Sequence, residues 1–141
     1  MRSELKFGVP RVKTNNNQSN PIAMENKDFA KQLEKRTKTF AITIIKLSSL
    51  LPNTPEGRVL RNQITKSGSS IGANYREANR ARSKADFSNK ISISESEASE
   101  TVYWLEIIEE LDWVENQKIQ IAMLEANELL AIFTSIGKNI K

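Results

Sequence analysis

The sequence predicts an all-α chain folded as an antiparallel up-down-up-down four-helix bundle. Apolar residues recur at steps of three and four along four segments, each about 25 residues long. Short breaks at Pro52, around Ser83 and across residues 112–116 separate the segments. No stretch alternates with the period of two that marks a half-buried strand.

The first helix is expected from about Asn26 to Leu51. Its seam is Phe29, Leu33, Thr37, Phe40, Ile44, Leu47 and Leu51. Pro52 ends it, because the ring removes a donor and clashes with the preceding turn. Thr54 then fits an N-cap, Pro55 the first helical position, and Glu56 the positive end of the helix dipole.

The second helix is expected from Pro55 to about Arg82, with Leu60, Ile64, Ser67, Ile71, Asn74, Ala78 and Ala81 as its seam. Much of that seam is small or polar. The stretch from Ser67 to Ala78 places Gly68 and Gly72 one turn apart, with Ser69 and Ala73 beside them. Each mid-helix glycine costs about 1 kcal/mol relative to alanine. Something must approach this backbone closely enough to offset that cost: another helix, a phosphate or a partner subunit.

Ser83 with Asp86 three residues on reads as a capping box variant. The third helix is expected to run on to about Trp113. Its seam is Phe87, Ile91, Ser94, Ala98, Val102, Leu105 and Ile108, widened by Trp104, Ile107 and Leu111. Ser94 and Ala98 are again small and one turn apart, which sets them against the glycine-rich face of the second helix. Helix packing and assembly are thereby assigned to Ser67, Gly68, Ile71, Gly72, Asn74, Ser94, Ala98 and Trp104. The fourth helix is expected to begin after Asn116, with Ile119, Ala122, Ala126, Leu129, Phe133, Ile136 and Ile140 on one face. Ile45, Leu50, Val59, Ile93, Leu124, Leu130 and Ile132 flank these seams, so a second buried face, and hence a homo-oligomer, is expected.

Residues 1–23 read as a polar, basic tail that cannot bury enough to offset its ordering entropy. The bundle domain is assigned to residues 24–141.

The chain has no cysteine and no histidine. Disulfides, thiolate metal sites and cysteine nucleophiles are therefore excluded, as is the commonest general base. Glutamates crowd the third helix, but the Glu-x-x-His pairs that hold two metals in a bundle cannot be built. The Ser-Gly-Ser-Ser-Ile-Gly run lacks the lysine and the preceding strand of a P-loop. Lys66 with Ser69 or Ser70 is the remaining nucleophile arrangement, and a lysine on a helix surface is ordinarily solvated. No cofactor, no metal and no catalytic residue is expected. The N-terminal residues lack the apolar core of a signal peptide, and no uncharged apolar run approaches the roughly 20 residues that span a bilayer. A cytoplasmic protein without membrane contact is expected.

Net charge is +4, unevenly placed. Residues 1–84 carry 17 Lys/Arg against 6 Asp/Glu, a balance of +11; residues 85–141 carry 4 against 11, a balance of −7. Arg58, Arg61, Lys66, Arg76, Arg80, Arg82 and Lys84 gather on the second helix and the turn after it, with Arg76 and Arg80 one turn apart. Such a row suits the phosphates of RNA or DNA. Three readings stand beside it. The cations pair with carboxylates, for example Arg80 with Glu77; the chain serves only protein partners; or Glu97 or Glu100, facing Asn74 in the interior, is a catalytic carboxylate. Tyr75, Tyr103, Trp104 and Trp113 are the aromatics available to stack on bases, with Trp104 expected in the core.

Four blocks together resemble a known family: Pro55-Glu-Gly-Arg58, Ser67-Gly-Ser-Ser-Ile-Gly-Ala-Asn-Tyr-Arg-Glu-Ala78, Ser83-Lys-Ala-Asp-Phe87 and Glu100-Thr-Val-Tyr-Trp-Leu-Glu106. They are similar to the four helix bundle proteins of the 23S ribosomal RNA intervening-sequence family, over roughly residues 27–140. The resemblance implies a left-turning bundle assembled as a ring-like homopentamer. It also implies distant kinship with the accessory variability determinant of diversity-generating retroelements, which binds nucleic acid and a reverse transcriptase. No enzymatic activity or catalytic residue is established for the family, so none carries over. The longer N-terminal tail and the polar Ser92-Ile-Ser-Glu-Ser96 depart from the family pattern.

Overall fold

The computed structural model describes residues 21–140, with side chains from residue 27. It contains four helices, α1 (Pro21–Ser48), α2 (Pro55–Ala78), α3 (Lys84–Leu111) and α4 (Asn116–Ile140), and no strand among the described residues. Residues 1–20 of the expected tail lie outside the described residues.

The helix ends follow local chemistry. α1 starts at Pro21, ahead of the expected Asn26, and stops at Ser48, short of Leu51. Leu50 and Leu51 donate backbone N–H bonds to the carbonyls three residues back, a tightened turn that leads into Pro52. Thr54 Oγ1 accepts from the Gly57 N–H at 3.0 Å, with Pro55 following as the first helical residue. α2 ends at Ala78 rather than Arg82, where the Arg80 and Ala81 N–H groups also bond three residues back. Ser83 caps α3 by accepting from the Asp86 N–H at 3.0 Å. Asp112, at φ 57, ends α3 in the left-handed conformation.

Each helix packs on its neighbours in sequence, and α1 and α4 make a thinner contact; among the described residues the backbones of the diagonal pairs, α1 with α3 and α2 with α4, do not approach closely, and side chains alone bridge the core between α2 and α4. Cross-helix contacts run in opposite order along each pair. In α1 and α2, Glu34 meets Asn79 and Ser48 meets Thr65; in α2 and α3, Ser67 meets Thr101 and Ile71 meets Ser94. In α3 and α4, Glu95 meets Thr134 and Glu109 meets Gln120. The seams of α1 and α4 are buried as the periodicity predicts, Phe29 alone remaining partly exposed. In α3 the turn is rotated slightly: Thr101 is buried and Val102 is half-buried. Tyr75, offered above as a base-stacking ring, is in the core. Its ring meets Phe133 edge-on with centroids 5.4 Å apart, and burial pushes its hydroxyl up to about 12.

The small residues of α2 face two ways, which corrects one expectation. Gly68 and Gly72 do not face Ser94 and Ala98 of α3; they face α1. A Cβ at Gly68 would stand 2.8 Å from Ile44 Cγ2, and one at Gly72 would stand 2.7 Å from Thr37 Oγ1. Ser67 and Ile71, on the adjacent face, meet α3 instead. Ser94 Oγ donates to the Ile71 carbonyl at 2.9 Å, and Thr101 Oγ1 donates to Ser67 Oγ at 2.9 Å. Buried hydroxyls of this kind must be bonded, and among the described residues no buried side-chain polar atom lacks a partner. Asn74 is half-buried and donates to the Ser70 carbonyl at 2.8 Å. The close approach is thus between helices of one subunit, not between subunits or with a phosphate.

Arg36 closes the α1–α4 side. Its guanidinium reaches both Glu125 oxygens at 2.7 Å and Glu128 Oε1 at 2.7 Å. These bonds raise the guanidinium pKa further above its already high value, against the opposing effect of partial burial.

Two outcomes follow from this packing. Gly72→Ala gains about 1 kcal/mol of helix propensity but drives a methyl into buried Thr37, an overpacking that costs roughly 1–3 kcal/mol, so it lowers stability by a net of about 1 kcal/mol. Thermal denaturation followed by circular dichroism reads the sign. Arg36→Met lowers stability by about 1 kcal/mol, as expected for a partly exposed ion-pair network, and the difference narrows in 1 M salt.

Candidate nucleic-acid interface

α2 carries its cations at three separate levels. Arg58 and Arg61 sit near its start. Arg58 Nη1 donates to Asn53 Oδ1 at 3.2 Å. Arg61 is half-buried, and its guanidinium donates to the Leu51 carbonyl, from Nε at 3.2 Å and also from Nη2. That carbonyl lies in the turn leaving α1, so Arg61 is a structural cap and not a free phosphate ligand. Lys66 is exposed in mid-helix on the side of Glu97. Arg76 lies 18 residues past Arg58, about 27 Å along the axis. The seven cations assigned to nucleic acid therefore lie at separate levels of α2 and the turn after it.

The far end of α2 does gather charge. Arg76, Arg80, Arg82 and Lys84 are all exposed. Arg76 Nε is 3.9 Å from Glu34 Oε1, and Asn79 Nδ2 donates to the same carboxylate at 2.8 Å. Arg80, Arg82 and Lys84 have no carboxylate within 4 Å among the described residues, and Arg80 does not pair with Glu77. The Glu34–Asn79 bond brings the early turns of α1 level with this end. Lys27 and Lys31, seven and three residues before Glu34, share its helical face and are exposed. They complete a cluster of six cations, interspersed with Asp28, Glu77 and Asp86. Sequence spacing alone did not find the two lysines, because the register between α1 and α2 is needed to place them.

The opposite charge sits on α3, with seven carboxylates against two lysines. Between α3 and α4 lies an open groove of about 520 Å³, lined by Ser92, Ser96, Ser99, Glu95, Glu100, Tyr103 and Leu130. Both carboxylates there are already engaged. Glu95 accepts from Thr134 Oγ1 at 2.9 Å, and Glu100 accepts from Trp104 Nε1 at 3.0 Å. Trp104 is half-buried, not a core residue. Glu97 has its carboxyl pKa raised by burial and by the nearby Glu100, with Lys66 opposing. It is half-buried, and Asn74 bonds to its own helix rather than to either glutamate. Ser69 and Ser70 donate to the Lys66 carbonyl at 3.3 and 2.6 Å, so both hydroxyls serve the backbone. No cluster of three metal-ligating side chains occurs among the described residues.

α4 is the one described helix long and apolar enough to cross a membrane by length and composition. Ile119, Ala122, Ala126, Leu129, Phe133 and Ile136 nevertheless place one full face of it in the core.

Comparison with known proteins agrees with this architecture. No curated protein matches the chain. A crystal structure of a protein of unknown function from the S23 ribosomal protein family of Bacteroides thetaiotaomicron superposes with a TM-score of 0.70 at 37% identity. The match covers 74% of this chain and 97% of that one. The family model for the 23S rRNA-intervening sequence protein matches residues 30–139. This chain belongs to the 23S rRNA-intervening sequence protein family.

Proposed function

We propose that this chain is a non-enzymatic, cytoplasmic, homo-oligomeric up-down-up-down bundle that binds RNA through the basic end of α1 and α2. The observation that carries the reading is the end cluster of Lys27, Lys31, Arg76, Arg80, Arg82 and Lys84, of which Arg80, Arg82 and Lys84 have no carboxylate partner among the described residues. Elsewhere the strongest cations are spent on structure: Arg36 on Glu125 and Glu128, Arg61 on Leu51. Cations left free and close together attract a polyanion by releasing its condensed counterions. The opposite-ordered contacts of successive helices support the up-down-up-down path. The family description, which names an insertion in ribosomal RNA, is in keeping with a nucleic-acid partner, and five subunits is the number that the family resemblance implies. The competing reading is a protein-interaction module without nucleic acid, including one that serves a reverse transcriptase. It is favoured by the exposed Ile42, Ile45, Ile121 and Leu124.

A salt series separates the two. RNA affinity is expected to fall with log[salt] at a slope of about −2 to −4, given roughly 0.7 per single-strand phosphate contact. An affinity that stays flat from low to moderate salt sinks the phosphate mechanism. Arg76→Glu with Arg80→Glu weakens RNA binding at least tenfold and leaves the helical signal unchanged. Arg61→Met does the reverse: the melting temperature drops because the Leu51 carbonyl loses its donor, and RNA affinity holds.

A further inference from the structure

We infer that the outer face of α1 in one copy of this chain docks on the outer face of α3 in a second copy. The contact joins two different surfaces, head to tail. The inference rests on the reading that the chain self-assembles and names the surfaces that do so.

Both faces carry large apolar side chains left in solvent. On α1, Ile42 is 45% and Ile45 47% exposed; on α3, Tyr103 is 55% and Leu111 41% exposed. Each pair is framed by charge of one sign. Lys35, Lys38 and Lys46 surround the isoleucines, and Glu100, Glu106 and Glu110 surround the tyrosine and leucine; all six are exposed. The spacings match. Lys35 to Lys46 spans 11 residues, about 16 Å, and Glu100 to Glu110 spans 10, about 15 Å. The Tyr103 ring is braced edge-on by Trp104, with centroids 5.0 Å apart, which makes it a rigid anchor.

Geometry forbids these faces from meeting within one subunit. α1 and α3 occupy diagonal corners of the bundle, their backbones do not approach closely among the described residues, and these two faces point away from the core. A two-fold dimer through either face would set lysines against lysines or glutamates against glutamates, a like-charge juxtaposition that costs several kcal/mol. Only the head-to-tail arrangement pairs opposite charges while covering both apolar pairs. A contact of this type closes into a ring when its rotation permits and otherwise extends as a filament. The exposed Ile121 and Leu124 of α4 lie beside Glu125 and Glu128, whose carboxylates are already taken by Arg36 of the same subunit, and beside the opposite charge of Lys118, so no charge of one sign frames them. The basic end formed by Lys27, Lys31, Arg76, Arg80, Arg82 and Lys84 remains outside the docked faces.

Charge reversal tests the pairing. Light scattering would be run on the full chain, on Lys38→Glu/Lys46→Glu, on Glu100→Lys/Glu110→Lys, on their 1:1 mixture, and on the chain carrying all four changes. The wild type is expected to assemble. Each double variant should dissociate at concentrations at least tenfold higher than the wild type does, with unchanged helical circular dichroism. The fourfold variant should reassemble, because every one of its junctions again pairs opposite charges; the mixture does so only where the two variants alternate, so it regains more mass than either variant alone without having to close an odd-numbered ring. If a reversal unfolds the chain, Ile42→Ser and Tyr103→Ser replace it, each weakening assembly by a similar factor. An assembling wild type whose variants all keep its mass overturns the face assignment and leaves self-assembly standing. Double variants that dissociate while the fourfold variant also stays dissociated, with its helical signal intact, overturn the head-to-tail pairing. A wild type that stays at 16.0 kDa overturns both the inference and the oligomeric reading beneath it.

Discussion

At Gly68 and Gly72 the backbone of α2 stands so close to α1 that Ile44 and Thr37 occupy the space a Cβ would need. Much of the bundle's geometry follows from that contact. With the glycines turned to α1, the next face of α2 presents Ser67 and Ile71 to α3, where Ser94 and Thr101 bond across at 2.9 Å each. α2 is therefore held on both sides by short contacts, one steric and one polar. Neither tolerates much displacement, because close-packed interiors transmit a lost or added methylene directly. The thinner α1–α4 side is closed differently, by the Arg36 fork on Glu125 and Glu128. α2 thus has a fixed orientation, and with it the direction in which Arg76 and Arg80 project.

Much of this was legible in the chain, and for a physical reason. Helical periodicity reports which residues share a face, so the seam from Leu33 to Leu51 and that from Ile119 to Ile140 were readable and are buried. Capping chemistry is equally local, and Thr54 and Ser83 act as their sequences suggest. Periodicity does not report which neighbour a face meets. Ser94 and Ala98 were for that reason set against the glycines, when Ser94 meets the Ile71 carbonyl and α1 takes the glycine face. Thr101 and Val102 both satisfy a three-four spacing, and only packing decides that Thr101 goes inside. α2 ends four residues before the expected Arg82, a difference invisible in the sequence because nothing in Asn79-Arg-Ala-Arg82 forbids a helix.

The candidate site shows the same division more sharply. A count of cations along α2 treats Arg61 and Arg80 alike. The fold separates them: Arg61 answers the Leu51 carbonyl in the turn leaving α1, and Arg80 stays in solvent. Lys27 and Lys31 enter the site only through the register fixed by Glu34 and Asn79. The split in charge between the two halves of the sequence becomes a difference between faces, with lysines and arginines on α1 and α2 and carboxylates on α3. In the proposed reading, a surface divided in this way serves two ends together, attracting a polyanion at one place and orienting a second copy at another.

The central claim is that this bundle works as an assembly carrying nucleic acid. Its most direct test is the molar mass of the protein purified at low salt without nuclease, with the 260/280 nm absorbance ratio recorded on the same chromatographic peak. The account predicts a mass that is a multiple of 16.0 kDa beyond any bound RNA, and a ratio raised above that of pure protein until high salt strips it. A single peak at 16.0 kDa with the absorbance of protein alone would contradict it.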